Sequence, residues 1–168
     1  MLGTRGVPAS YSGFETCVEE LGSRLAQRGH EVTVYCRSHH ITYDQPTYKG
    51  MRLVKLPTIA NKYLDTIVHS FISSLHALGQ GYDIALYFIA GNSLVTWIPR
   101  LAGQYTLLNV DGLDWKRAKW PALAKRYIQL AEQMSAVLPN AVITDSRVVQ
   151  RYYREAYGVE SSYIAYGS

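Results

Sequence analysis

Apolar residues along the chain fall into two periods, one suited to helices and one to strands. Phe14, Val18, Leu21 and Leu25 recur at helical spacing, with Glu19, Glu20, Arg24 and Arg28 on the other side. Ser12 and Glu15 have the spacing of a capping box at the start of this helix, and Gly29 is placed to end it as a left-handed cap. "EVTVYC" (31–36) then predicts a β-branched strand, and "MRLVKLP" (51–57) a second one stopped by Pro57. Residues 62–78 read as a helix in which Leu64, Ile67, Val68, Phe71, Ile72 and Leu75 form a wide apolar stripe, expected to pack in the core, with placement against anionic lipid as the alternative.

Downstream, "DIALYFIA" (83–90) is nearly all apolar, as a strand covered on both faces should be. A short helix over 93–101 leads to a similar strand, "YTLLNV" (105–110). A helix over 121–138 follows, with Pro121 suited to its first turn. After it come a strand over 141–144, a helix over 147–157 closed by Gly158, and a final strand in "SSYIAY" (161–166). Strand and helix alternate without repeats or low-complexity linkers. The pattern predicts an α/β domain spanning 1–168, a Rossmann-like open parallel sheet with helices on both faces. Ligands in such sheets bind beyond the carboxyl ends of the strands. The opening loop, "NVDGLDW" and "ITDS" are all expected there, on a single rim.

Composition narrows the picture only modestly. Of 168 residues, 48% are apolar, enough for one domain with a real core. No uninterrupted apolar run is long enough to span a bilayer, and the first residues lack the apolar stretch of a signal peptide. Cys17 and Cys36 read as free thiols in a reducing, cytoplasmic setting rather than as a disulfide. A net charge of +4 suits an anionic ligand or an anionic membrane surface and gives no argument for nucleic acid. No metal site is expected: of His30, His39, His40, His69 and His76, only the adjacent pair His39–His40 has a spacing that could hold a metal on one face, and it reads as loop.

Three segments can carry chemistry. In "LGTRGVPASYSGFET" (2–16), Gly3 and Gly6 permit close backbone approach, and Ser12–Gly13 open a helix whose amide dipoles favour an anion. The loop has neither the dinucleotide fingerprint nor the Gly-Lys-Ser/Thr of a P-loop, so a phosphate cradle and a plain turn both remain open. In "NVDGLDWKRAKW" (109–120), Asp111 and Asp114 follow an apolar strand, with Trp115 and Trp120 interleaved among Lys116, Arg117 and Lys119. Tryptophan faces stack on sugar rings and aspartates accept from vicinal hydroxyls. The basic run could hold phosphates, touch anionic lipid or be the solvated side of a helix. In "ITDS", Asp145 and Ser146 lie between a strand and a helix, where either an N-cap or a second carboxylate in the same cleft is a sound reading.

Taken together, "LGTRGVPASYSGFET", "RLAQRGHEVTVYCR", "YKGMRLVKLPT", "KYLDT", "NVDGLDWKRAKW" and "ITDSRVVQRYYREAYG" resemble the N-terminal half of family 4 glycosyltransferases of the GT-B fold, and within them the bacterial rhamnosyltransferase-like subgroup. The resemblance covers almost the whole chain in order. It implies an acceptor-side domain with its first strand truncated, "YIAYGS" as an interdomain hinge, and a donor-binding C-terminal domain outside this sequence. It further implies retaining transfer of a sugar, rhamnose among the candidates, from a nucleotide-diphosphate donor to a lipid-linked or polysaccharide acceptor. The setting would be the cytoplasmic face of the membrane. No cofactor and no metal are implied. Asp111 and Asp145 are the expected catalytic carboxylates. Gly3, Thr4, Arg5, Gly6, Ser12, Gly13, Asp114, Trp115, Lys116 and Arg117 would contact substrate, and Glu15 would orient the opening loop. Many relatives place His where this chain has Asp111, a departure that replaces a donor with an acceptor. Two other readings stand beside it: a non-catalytic module binding a sugar nucleotide or polysaccharide, and a nucleotide-dependent oxidoreductase, the latter weakened by the missing dinucleotide fingerprint.

Overall fold

The computed structural model describes residues 1–10, 12–61, 64–111 and 121–166. The chain forms two compact units, Met1–Ser73 and Ser74–Ser168.

In the first unit, helix α1 (Gly13–Gln27) is followed by strands β1 (Thr33–Arg37), β2 (Thr47–Tyr48) and β3 (Met51–Leu56). The sheet order is β1-β3-β2, with β1 parallel to β3 and β2 antiparallel to it. Sequence patterning leaves β2 within a polar loop. It is a strand because Lys49 and Gly50 both have positive φ (48° and 80°), the condition for a two-residue hairpin turn between Tyr48 and Met51. The opening residues run along the free side of β1: Met1 N donates to Thr33 O at 2.7 Å, Tyr35 N to Met1 O at 3.0 Å and Arg37 N to Arg5 O at 2.9 Å. Val18 and Gly22 of α1 are buried, and a Cβ at Gly22 would press on the Sδ of Met51. Leu21, expected in the core, is partly exposed; the close approach at Gly22 turns the buried stripe one position onward.

Helix α2 (Asp65–Leu78) crosses the boundary between the units and inverts the expected pattern. His69, Ser70, Ser73, Ser74 and Ala77 are fully buried, whereas Leu64, just before the helix, is 43% exposed and Phe71 and Leu75 each 46%. Ile67, Val68 and Ile72 are half-buried, so the apolar stripe is only partly enclosed. Small serines let the helix pack closely, and the buried hydroxyl of Ser74 lies 2.6 Å from that of Tyr87.

The second unit holds strands β4 (Ile84–Phe88), β5 (Tyr105–Val110), β6 (Ala141–Thr144) and β7 (Ser162–Tyr163) in an all-parallel sheet of order β4-β5-β6-β7. A 3-10 turn (Ala90–Val95) and helix α3 (Trp97–Arg100) connect β4 to β5; helices α4 (Ala122–Ser135) and α5 (Arg147–Tyr157) flank β6 in sequence. This alternation gives the Rossmann-like α/β architecture that the apolar runs predict. Tyr87, Phe88, Leu108, Val110 and Val142 supply the core of the sheet, and Tyr153 from α5 is buried with them. Gly158, at φ 66°, closes α5 as predicted.

Candidate functional site

Beyond the carboxyl ends of β5 and β6 the two strands remain in register. Val110 pairs with Thr144, so the next residues, Asp111 and Asp145, leave the sheet side by side. Neighbouring parallel strands lie about 4.8 Å apart, so the two backbones emerge at roughly that separation. Both residues are half-buried. The capping question raised by "ITDS" is settled by Ser146, whose Oγ accepts from Val149 N at 3.2 Å as the N-cap of α5. Asp145 is thereby released from that task.

Other polar groups surround the same rim. Asn109, buried at the end of β5, accepts from the Tyr166 hydroxyl through its Oδ1 at 2.7 Å. Asn92 donates its Nδ2 to Phe88 O at 2.7 Å and holds the turn after β4. Ile89, the first residue of that turn, has φ 71°, a conformation a β-branched side chain resists. Strained backbone of this kind at a strand end is common around ligand sites. Burial pushes the Tyr153 phenol well above its ordinary pKa, and the negative charges of Glu132 and Asp111 add to this. Asp114, Trp115, Lys116 and Arg117 lie outside the described residues.

The opening loop belongs to the first unit. Gly3 (φ 99°) and Gly6 (φ 114°) both need the freedom of glycine. Gly6 spends it on its own domain: a Cβ there would stand 2.5 Å from the Sγ and 2.8 Å from the Cα of Cys36. Thr4 is buried and Arg5 half-buried, while Gly13, at the start of α1, has no atom within 4 Å of where a side chain would begin. Glu15, 2% exposed, shapes the loop from the first turn of α1, its Oε2 accepting from Ser12 N at 3.3 Å and from Ser10 N at 3.4 Å. The capping box read from the sequence is thus present. One turn on, Glu19 accepts from Ala9 N at 2.7 Å, from the Tyr48 hydroxyl at 3.1 Å and from Lys49 Nζ at 2.6 Å.

A cluster not evident in the sequence stands at the end of β1. Arg37, 4% exposed, donates from Nη1 to Asp65 Oδ2 at 2.8 Å and from Nη2 to Thr66 Oγ1 at 3.0 Å. Burial draws the pKa of Arg37 down, only partly offset by Asp65. For Asp65 burial works upward, but Arg37 and His40 outweigh it and hold the carboxyl below its usual range. His40 Nε2 lies 3.1 Å from Asp65 Oδ2, and His39 Nε2 lies 3.6 Å from Oδ1. His39 and His40 do sit in the turn after β1, as their loop-like context suggests. The partner 25 positions downstream carries no local signal. His69 is buried nearby, and burial, reinforced by the positive charge of Arg37, lowers its pKa to about 4.

No curated protein is significantly similar to the chain. One family model, described as a domain of unknown function (DUF1972), matches residues 1–168 from end to end. Because that match covers the whole of the sequence, the chain belongs to the DUF1972 family.

Proposed function

We propose that this domain is the acceptor-side half of a retaining glycosyltransferase. In this reading it works with a second, donor-binding domain to move a sugar from a nucleotide diphosphate to a lipid-linked or polysaccharide acceptor. One observation carries the reading: Asp111 and Asp145 follow paired residues of adjacent parallel strands, and capping of α5 is left to Ser146. The likeness of the opening loop and of "NVDGLDWKRAKW" to family 4 glycosyltransferases supports it.

The chemistry asked of the rim is modest. A carboxylate at Asp111 accepts a hydrogen bond from the attacking hydroxyl and offsets positive charge developing at the anomeric carbon. Asp145 adds negative potential from the adjacent strand. The leaving diphosphate is stabilised by helix N-termini and basic side chains, with no metal required for that role. The exposed stripe of Leu64, Phe71 and Leu75, together with a net charge of +4, suits a surface that meets anionic lipid where a lipid-linked acceptor resides.

The test is turnover by the intact polypeptide against a panel of nucleotide sugars that includes dTDP-rhamnose, with lipid-linked and polysaccharide acceptors. Sugar transfer is the expected result. Tight nucleotide-sugar or polysaccharide binding with no transfer would make the domain a binding module, and NADH binding in place of nucleotide sugars would make it an oxidoreductase component.

A further inference from the structure

The turn after β1 sets two imidazoles against the carboxylate that begins α2. One ring nitrogen of His39, one of His40 and an oxygen of Asp65 all lie within 4.8 Å of one another. An ion bound tetrahedrally at about 2.0–2.2 Å spaces its ligand atoms about 3.3 Å apart. His40 Nε2 stands 3.1 Å from Asp65 Oδ2 and His39 Nε2 3.6 Å from Oδ1, so the two imidazoles face the two oxygens of one carboxylate at separations close to that spacing. The longer one is outside hydrogen-bonding range, so Asp65 Oδ1 is a buried acceptor with no hydrogen bond. A bound cation would satisfy that atom.

The supporting shell is in place as well. Arg37 donates to the other oxygen, Oδ2, and to Thr66 Oγ1, which fixes the carboxylate plane and leaves Oδ1 facing His39. The ligands come from a strand-end turn and from the first residue of a helix. Two imidazoles and one carboxylate form a donor set for Zn²⁺, Co²⁺ or Ni²⁺ rather than for Mg²⁺ or Ca²⁺.

We propose that His39, His40 and Asp65 bind a divalent transition-metal ion, Zn²⁺ foremost, through one ring nitrogen of each histidine and a carboxylate oxygen of Asp65. Three protein ligands leave a coordination position for an exogenous oxygen donor. The adjacent guanidinium of Arg37 opposes the cation and favours an anionic oxygen there. This site is independent of the sugar-transfer reading, since neither Asp111 nor Asp145 takes part.

The experiment is calorimetric titration of the tag-free chain with Zn²⁺, paired with Co²⁺ titration followed by visible absorption. One Zn²⁺ per chain is expected, with Co²⁺ giving the d–d bands of a four- or five-coordinate site and excess Mg²⁺ failing to displace either ion. The double variant His39→Ala/His40→Ala should weaken binding at least tenfold with an unchanged far-UV circular dichroism spectrum. Asp65→Asn should weaken it as well. If that variant fails to fold because Arg37 loses its partner, the histidine pair, which is on the surface side of the cluster, decides the question. Absence of stoichiometric Zn²⁺ and Co²⁺ binding up to roughly 100 µM, equivalent to about −5.5 kcal/mol, would overturn the proposal. Binding unchanged by the double variant would overturn it equally.

Discussion

Gly6 rests directly on Cys36: the position its side chain would occupy is 2.5 Å from the thiol sulfur and 2.8 Å from a backbone carbon of β1. Backbone cannot yield as a flexible side chain does, and φ 114° is unfavourable for any L-residue with a Cβ. Gly6→Ala is therefore expected to destabilise the domain by about 3 kcal/mol or more. Urea unfolding measures it, and a change below about 1 kcal/mol would show that the opening loop is not held against β1.

His69 makes stability depend on pH in a defined window. Its pKa is near 4 in the folded chain and 6.5 in the reference state, so the folded form resists protonation. Above pH 6.5 both states are neutral and the full stability is present. As pH falls from 6.5 toward 4 the unfolded chain takes up the proton first, and up to about 1.4 kcal/mol is lost per pH unit. Glu19 and Asp65 have pKa values lowered from 4.5 and 3.8, so their contributions are lost at the acid end. His69→Leu should flatten the slope of unfolding free energy between pH 6.5 and 4.5; an unchanged slope would assign it to other groups.

The Asp111 assignment separates chemistry from binding. On the proposed sugar-transfer reading, Asp111→Asn in the intact polypeptide is expected to lower turnover by about 10²-fold or more while nucleotide binding stays close to normal. Single-turnover assays beside equilibrium nucleotide binding make the distinction, and wild-type turnover in the variant would remove the residue from the mechanism.

The exposed stripe on α2 gives a binding prediction. Phe71→Ser/Leu75→Ser should reduce sedimentation with anionic liposomes and leave folding intact, because neither side chain is in the core. Equal recovery with neutral and anionic vesicles for the unaltered chain would exclude an electrostatic membrane surface.

How far these features can be read from sequence depends on the range over which each is encoded. β4, β5 and β6 are plain in the apolar runs because strands of a parallel sheet are covered on both faces, and Ser12 with Glu15 is plain because a capping box spans a single turn. The Asp111–Asp145 pairing also follows, since alternating strands and helices bring strand ends to one side of a parallel sheet. The α2 orientation does not follow. Periodicity identifies a two-faced helix without saying which face is buried, and here the serine face is the one enclosed. β2 is hidden because a two-residue strand rests on a hairpin turn rather than on an apolar pattern. The cluster around Asp65 is hidden for a different reason: only tertiary folding brings the histidines to it.

Glu19 gathers the opening loop, the helix that carries it and the hairpin that lies thirty positions later. Three stretches of chain meet at this one carboxylate. Loosening that junction, by acid or by replacing the side chain, would release them together, so this corner of the unit should fray as a block instead of strand by strand.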